Sequence, residues 1–154
     1  MNITTVMSNL KTYFTNMSWT STDGTGTTKF KGVYTYPNWL QDDGYPFVVI
    51  LDDSGEGNSA TNRTLEFNTN ISVSICVNYG TIDKQTEEEK VEEAMLRLRE
   101  AWDYVKTDLF DLSTLTTLGV DWTYSPSYVD DFDENLNLYK RTITLIFKEV
   151  INRG

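Results

Sequence analysis

Residues 65–79 read LEFNTNISVSICVNY, and this stretch decides the fold. Leu65, Phe67, Ile71, Val73, Ile75, Val77 and Tyr79 share one parity, interrupted only by Thr69. Glu66, Asn68, Asn70, Ser72, Ser74, Cys76 and Asn78 share the other. A period of two predicts a β-strand with one covered face, because successive side chains point to opposite sides of a sheet. At ~3.3 Å per residue the strand would reach ~50 Å, when a usual strand has ~5–6 residues. Its surplus length predicts a meeting with another subunit. The polar parity holds one charge, Glu66, and otherwise short neutral groups. Two readings of it stand: an ordinary wet face, or a face that lets another layer approach closely.

The flanking sequence supplies what this strand pairs with and packs against. Ile3, Val6, Met7, Leu10 and Phe14 have helical spacing, which predicts a helix over residues 3–15. Residues 15–28 are rich in Thr, Ser and Gly and predict an exposed loop. Residues 30–37 have strand character, and Asp42-Asp43-Gly44-Tyr45-Pro46 reads as a turn before a buried strand at residues 47–51. Residues 52–61, with Gly55 and Gly57, predict a flexible connection. Thr86-Glu87-Glu88-Glu89 has the form of a capping box. It opens a helix over residues 87–109 whose stripe is Val91, Ala94, Met95, Leu98, Trp102, Val105 and Leu109. That helix, ~34 Å long, covers about ten strand residues and leaves roughly five projecting. A strand at residues 119–124, an acidic loop at residues 126–137 and a last strand at residues 138–151 complete the chain. The order α-β-β-β-α-β-β predicts an α+β fold: one domain over residues 1–154, with a mixed, mainly antiparallel sheet of long strands and helices mainly on one face.

Composition narrows the function. The 154 residues are 39% hydrophobic and carry a formal charge of −10, from 23 acids and 13 bases. That balance argues against a surface built to grip phosphates. No apolar run is long enough to span a membrane, and residues 1–8 do not read as a secretory signal. Cys76 is the single cysteine and histidine is absent, so no intrachain disulfide, Ser-His or Cys-His pair or imidazole metal ligand is expected. Cys76 reads as a small packed residue. Neither a phosphate-binding glycine loop nor a dinucleotide fingerprint occurs. Catalytic, cofactor-binding and metal-binding residues are therefore expected to be none, and an enzyme is not expected. Asp130, Asp131, Asp133 and Glu134 form an acidic cluster that reads as solvated loop. Trp19 and Trp39 fall in predicted loops, where a large ring is wasted unless covered. With Leu65, Phe67, Asn68 and Asn70 of the long strand they are the candidate subunit contacts.

The ordered features resemble the tail terminator, or tail completion, proteins of long-tailed bacteriophages. They are an N-terminal helix, Gly44-Tyr45-Pro46-Phe47-Val48-Val49-Ile50, Asn62-Arg63-Thr64-Leu65-Glu66-Phe67 opening the long strand, Glu92-Glu93-Ala94-Met95-Leu96-Arg97-Leu98 running to Trp102-Asp103, and Asp121-Trp122 with Ser125-Pro126-Ser127. The order of elements carries the resemblance more than any residue does, over residues 1–151. The resemblance implies a virion protein of the tail or neck, made in the host cytoplasm. It would be a homo-oligomeric ring, a hexamer, set on the last ring of the major tail tube protein and presenting a surface to the head-side connector protein. DNA would pass through unheld, and Asp130, Asp131, Asp133 and Glu134 become the candidate channel acids, since like charges repel across a narrow passage. No cofactor and no membrane contact are implied.

Two rivals remain. Another head–tail joining protein of the neck would share the ring and the α+β character. An acidic inhibitor mimicking DNA would need carboxylates spaced like phosphates, and the acids here are scattered through loops and helix starts.

Overall fold

The computed structural model describes residues 1–21, 27–40, 44–59, 61–122 and 127–152. The fold is α+β, with a six-stranded sheet. Helix α1 (Ile3–Thr15) begins where the Asn2 side chain accepts a hydrogen bond from the Thr5 amide at 2.9 Å, and it buries Val6, Leu10 and Phe14. Two short strands, β1 (Ser18–Thr20) and β2 (Thr27–Lys29), pair as a separate antiparallel ribbon. The expected loop at residues 15–28 is thus part helix and part ribbon among its described residues.

Strand β3 is only Val33–Tyr34, much shorter than the expected 30–37, and pairs in parallel with β4 (Phe47–Ser59). Strand β5 (Thr64–Asn78) is unbroken over fifteen residues, as its alternation predicts. Then come α2 (Glu87–Leu109), α3 (Leu112–Leu118), β6 (Asp121–Trp122), β7 (Tyr128–Asp133) and β8 (Leu138–Asn152). The strands run in the order β3-β4-β5-β8-β6, with β7 also on β8. All pairings but β3 with β4 are antiparallel within this sheet. The expected turn at Asp42-Asp43 and strand end at Tyr124 lie outside the described residues.

Helix α2 opens as its sequence predicts, with Thr86 Oγ1 accepting from the Glu89 amide at 3.2 Å. Glu89 answers the Thr86 hydroxyl rather than a backbone amide. Its buried side includes Ala94, Leu98, Ala101, Trp102, Val105 and Leu109. Helix α3 was not anticipated: seven residues, three of them threonine, give little periodicity to read. Asp111 caps its start, and Gly119 ends it at φ +83°, a left-handed conformation that costs glycine little.

The helices cover the face bearing the odd-numbered residues of β5. Ile71, Val73, Ile75 and Val77 join Val48, Ile50, Ile143 and Leu145 there, under α1, α2 and α3. The opposite face is not uniformly wet. Phe47, Val49, Cys76 and Leu138 form a second, smaller cluster, packed by Tyr34, Trp39, Leu51 and Leu136. Cys76 is completely buried, and that desolvation pushes its thiol well above the ordinary range, against the lowering effect of the Lys140 charge, and keeps it inert. Asn78, also buried, is satisfied by donating to the Leu136 carbonyl and accepting from the Gly80 amide, both at 3.0 Å.

Candidate assembly surface

The three long strands outrun the helices. Neither hydrophobic cluster extends past Ile71 on β5 or Phe147 on β8. Residues 64–70 of β5 are all half-buried, whereas Ile71 and residues 73–78 are buried. The projection is seven residues of β5, about 23 Å at strand rise, flanked by Ser54–Ser59 of β4 and residues 146–152 of β8. This is a three-stranded arm.

Residues 52–59 were expected to be a flexible connection and are instead strand. The register shows why. Asp52 pairs with Ile71 and Ser54 with Asn70, so Asp53 is an extra residue, a β-bulge that shifts the parity of everything after it. Gly55 and Gly57 therefore fall on the same face as Phe67, and Glu56 falls on the other. The Phe67 ring lies across both glycines. A Cβ on Gly55 would stand 2.7 Å from Phe67 Cε1, and one on Gly57 3.0 Å from Phe67 Cδ2. An aromatic ring laid over bare backbone restores the packing that strand glycines forfeit.

Leu65 pairs with Ile151 and lies beside Phe67 on that face, so the arm carries an apolar patch outside the core. Ile151 is 42% exposed, and Val150 on the reverse face 67%. The reverse face also holds Asn68 and Asn70. The Asn70 amide donates to Ser54 Oγ at 3.0 Å, and Ser74 Oγ meets Thr142 Oγ1 at 2.8 Å. A polar trough of about 350 Å³ runs between Asp53, Ser54, Asn70, Ser72, Thr142 and Thr144. Asn68 Oδ1 is buried with no donor.

Both outer edges of the arm are unpaired among the described residues. β3 meets β4 only at Val48 and Val49, and β6 meets β8 only at Leu145 and Ile146. Free edges offer rows of amide and carbonyl groups to another strand. The β4 edge bears Asp52, Asp53 and Glu56 and no base, so two such edges would repel. The β8 edge is mixed in sign: Lys148 lies on the same face as Glu56, and Glu149 on the other.

The remaining candidate residues divide. Trp19 sits in β1 and is 7% exposed, edge-on to Phe30 at 4.9 Å. Its ring is spent inside the subunit, so the subunit-contact reading of Trp19 is corrected. Trp39 is half-buried on the second cluster, with the Lys140 ammonium 4.4 Å from its ring centroid. Leu65, Phe67, Asn68 and Asn70 are brought together on the arm.

The described part of the expected acidic loop, residues 127–137, belongs to a hairpin, because β7 pairs along β8. Asp130 accepts two hydrogen bonds from Arg141, at 2.8 and 3.0 Å, and one from the Tyr139 hydroxyl at 3.2 Å. The Arg141 hydrogen bond holds its carboxyl below the usual range, against the opposing effect of burial. Asp131 lies 3.8 Å from Lys140 Nζ, on the opposite face of the sheet. Asp133 accepts from the Asn135 and Leu136 amides in the turn. Glu134 stands in that turn, near Tyr79. The four acids thus share no single open surface. No helix among the described residues is long and apolar enough to cross a membrane, and no group of acids or cysteine there has the arrangement of a metal site.

No protein-family model matches the chain, and no curated protein matches it.

Proposed function

We propose that the chain is a ring-forming structural subunit of a long-tailed bacteriophage, a terminator that caps the tail tube, stops its growth and presents a surface to the head-side connector. The observation that carries this reading is the arm: two free edges, an apolar patch and no cover from its own subunit. The order of elements, on which the resemblance rests, supports it too. An acidic β4 edge disfavours like-with-like pairing. It favours a head-to-tail contact with the β8 edge of the next copy, and such heterologous contacts close into rings when the rotation permits.

Magnitudes fit assembly on a template. Leu65, Phe67, Val150 and Ile151 would each contribute up to about 1.5–3 kcal/mol if fully buried, and less from their half-buried start. The sum is comparable to the ~4–15 kcal/mol of lost freedom on association. A ring held by the arms alone is marginal, and a tube end supplies the remainder. Negative-stain imaging of the purified protein with and without tail tubes tests this. A cap at one tube end is the expected result; tubes that stay bare would refute it. Lysates lacking the protein should contain overlong tails. Normal tails detached from heads would instead favour the neck-protein reading.

A further inference from the structure

The two bare edges of the arm differ, and the difference restricts how copies can join. Past the Asp53 bulge, Glu56 shares a register row with Asn68 and Lys148, across β4, β5 and β8. Gly57 shares the next row with Phe67 and Glu149, and Asn58 the one after with Glu66 and Val150. Residues opposite one another in a ladder point to the same face. Glu56, Asn58, Lys148 and Val150 therefore lie on the reverse face, and Glu149 lies on the face that the helices cover elsewhere.

Glu56 and Lys148 are exposed, and neither has an ion pair among the described residues. Inside one copy they stand two strand spacings apart, ~9.5 Å, with Asn68 between them. At that separation salt and solvent screen most of their attraction. Glu56 instead has the like charge of Glu66 diagonally beside it on β5. Laying β4 of a second copy along β8 brings Lys148 to one spacing, ~4.8 Å, from a Glu56.

The leftover acids in that register meet no acid. Glu149 comes beside Gly57, with Gly55 diagonal to it, and neither has a side chain. Asp52 and Asp53 fall before the ladder begins, because β8 upstream of Lys148 already carries β6 at Leu145 and Ile146. A slip of two residues sets Lys148 beside Ser54 or Asn58 and forfeits the pair. A slip of one turns every side chain to the wrong face.

The direction follows from the topology. β4 and β8 are each antiparallel to β5, so they run the same way. Successive copies in a ring of several subunits differ by well under half a turn, so β4 of the next copy cannot reverse against β8. We propose that the β8 edge takes β4 of a second copy as a parallel ladder, in the register that sets Lys148 beside Glu56, and that this pair fixes the register. The joint rests on the ring-forming reading, though not on what the ring caps.

Cysteines in the neighbouring row trap this joint and leave Lys148 and Glu56 in place. Cys76 is completely buried and does not compete. Full-length Val150→Cys and Asn58→Cys chains, each checked for an unchanged melting temperature, are mixed at high concentration and oxidised. The mixed disulfide dimer should dominate over both homodimers, since facing residues of adjacent strands lie within disulfide reach. Lys148→Glu in the Val150→Cys chain should cut its yield about fivefold, the upper end for an exposed pair. Glu56→Lys in the Asn58→Cys partner should restore it. Ser54→Cys separates the directions, because an antiparallel ladder about the same pair would set Val150 beside Ser54. A higher yield with Ser54→Cys than with Asn58→Cys, homodimers matching the mixed dimer, no dimer, or a charge reversal without effect would each overturn the proposal. A chain that forms the mixed dimer yet leaves tail tubes bare would support the joint and refute the terminator reading.

Discussion

The Phe67 ring rests on Gly57, its register partner across the β4–β5 ladder, and reaches Gly55 as well. The contact keeps the arm apolar on one face. In Gly55→Val the new side chain would push the ring aside, an inexpensive move for a residue outside the core. The subunit should keep its stability to within about 1 kcal/mol, or roughly 2–4 °C in Tm. Assembly on tube ends should fail. Calorimetry and negative-stain counting of capped tubes check the two halves of this prediction; intact capping would remove the ring from its role.

Asn68 leaves a buried carbonyl oxygen without a donor in the isolated subunit. Asn68→Val removes that oxygen and adds a β-branched side chain suited to a strand. The free subunit should gain about 1 kcal/mol, read as a higher Tm. If the oxygen instead waits for a donor on a neighbouring copy, the same variant should assemble less well. Greater stability with unchanged assembly would show that Asn68 faces no partner.

Asp130 and Arg141 predict a pH response. The carboxyl is held below its ordinary value by Arg141, so it binds protons less readily when folded than when unfolded. Its stabilising contribution is therefore present above the unfolded value of about 3.9 and is lost as pH falls through the depressed folded value. Asp130→Asn should cost about 1–3 kcal/mol near neutral pH, because the largely buried guanidinium loses its carboxylate. The gap from wild type should shrink steadily in acid. Urea titrations at several pH values measure it; a gap that stays constant down to the acid limit would contradict the pairing as the cause.

Long periodic segments were legible and short or compensated ones were not. The spacing of α1 and α2 and the alternation of β5 and β8 place those elements within a residue or so, because each repeats its signal over many turns or pairs. The extension of β4 was hidden by glycines and acids that read as linker; Phe67 and the Asp53 bulge make them strand. In β7, Asp130 and Asp131 argue against a strand in isolation, yet Arg141 and Lys140 stand opposite them. Cys76 sits on a parity that reads as polar, and only the packing of Trp39 and Tyr34 against that face reveals its burial. The β5 projection was visible because it is one periodic stretch.

The account turns on whether strand edges left bare in one copy become paired in the assembly. Hydrogen–deuterium exchange of the amides in residues 51–59 and 147–152, before and after capping of tail tubes, measures this directly. Rapid exchange in the free subunit and strong protection in the capped tubes is the predicted result. Capped tubes in which both edges still exchange freely would contradict it.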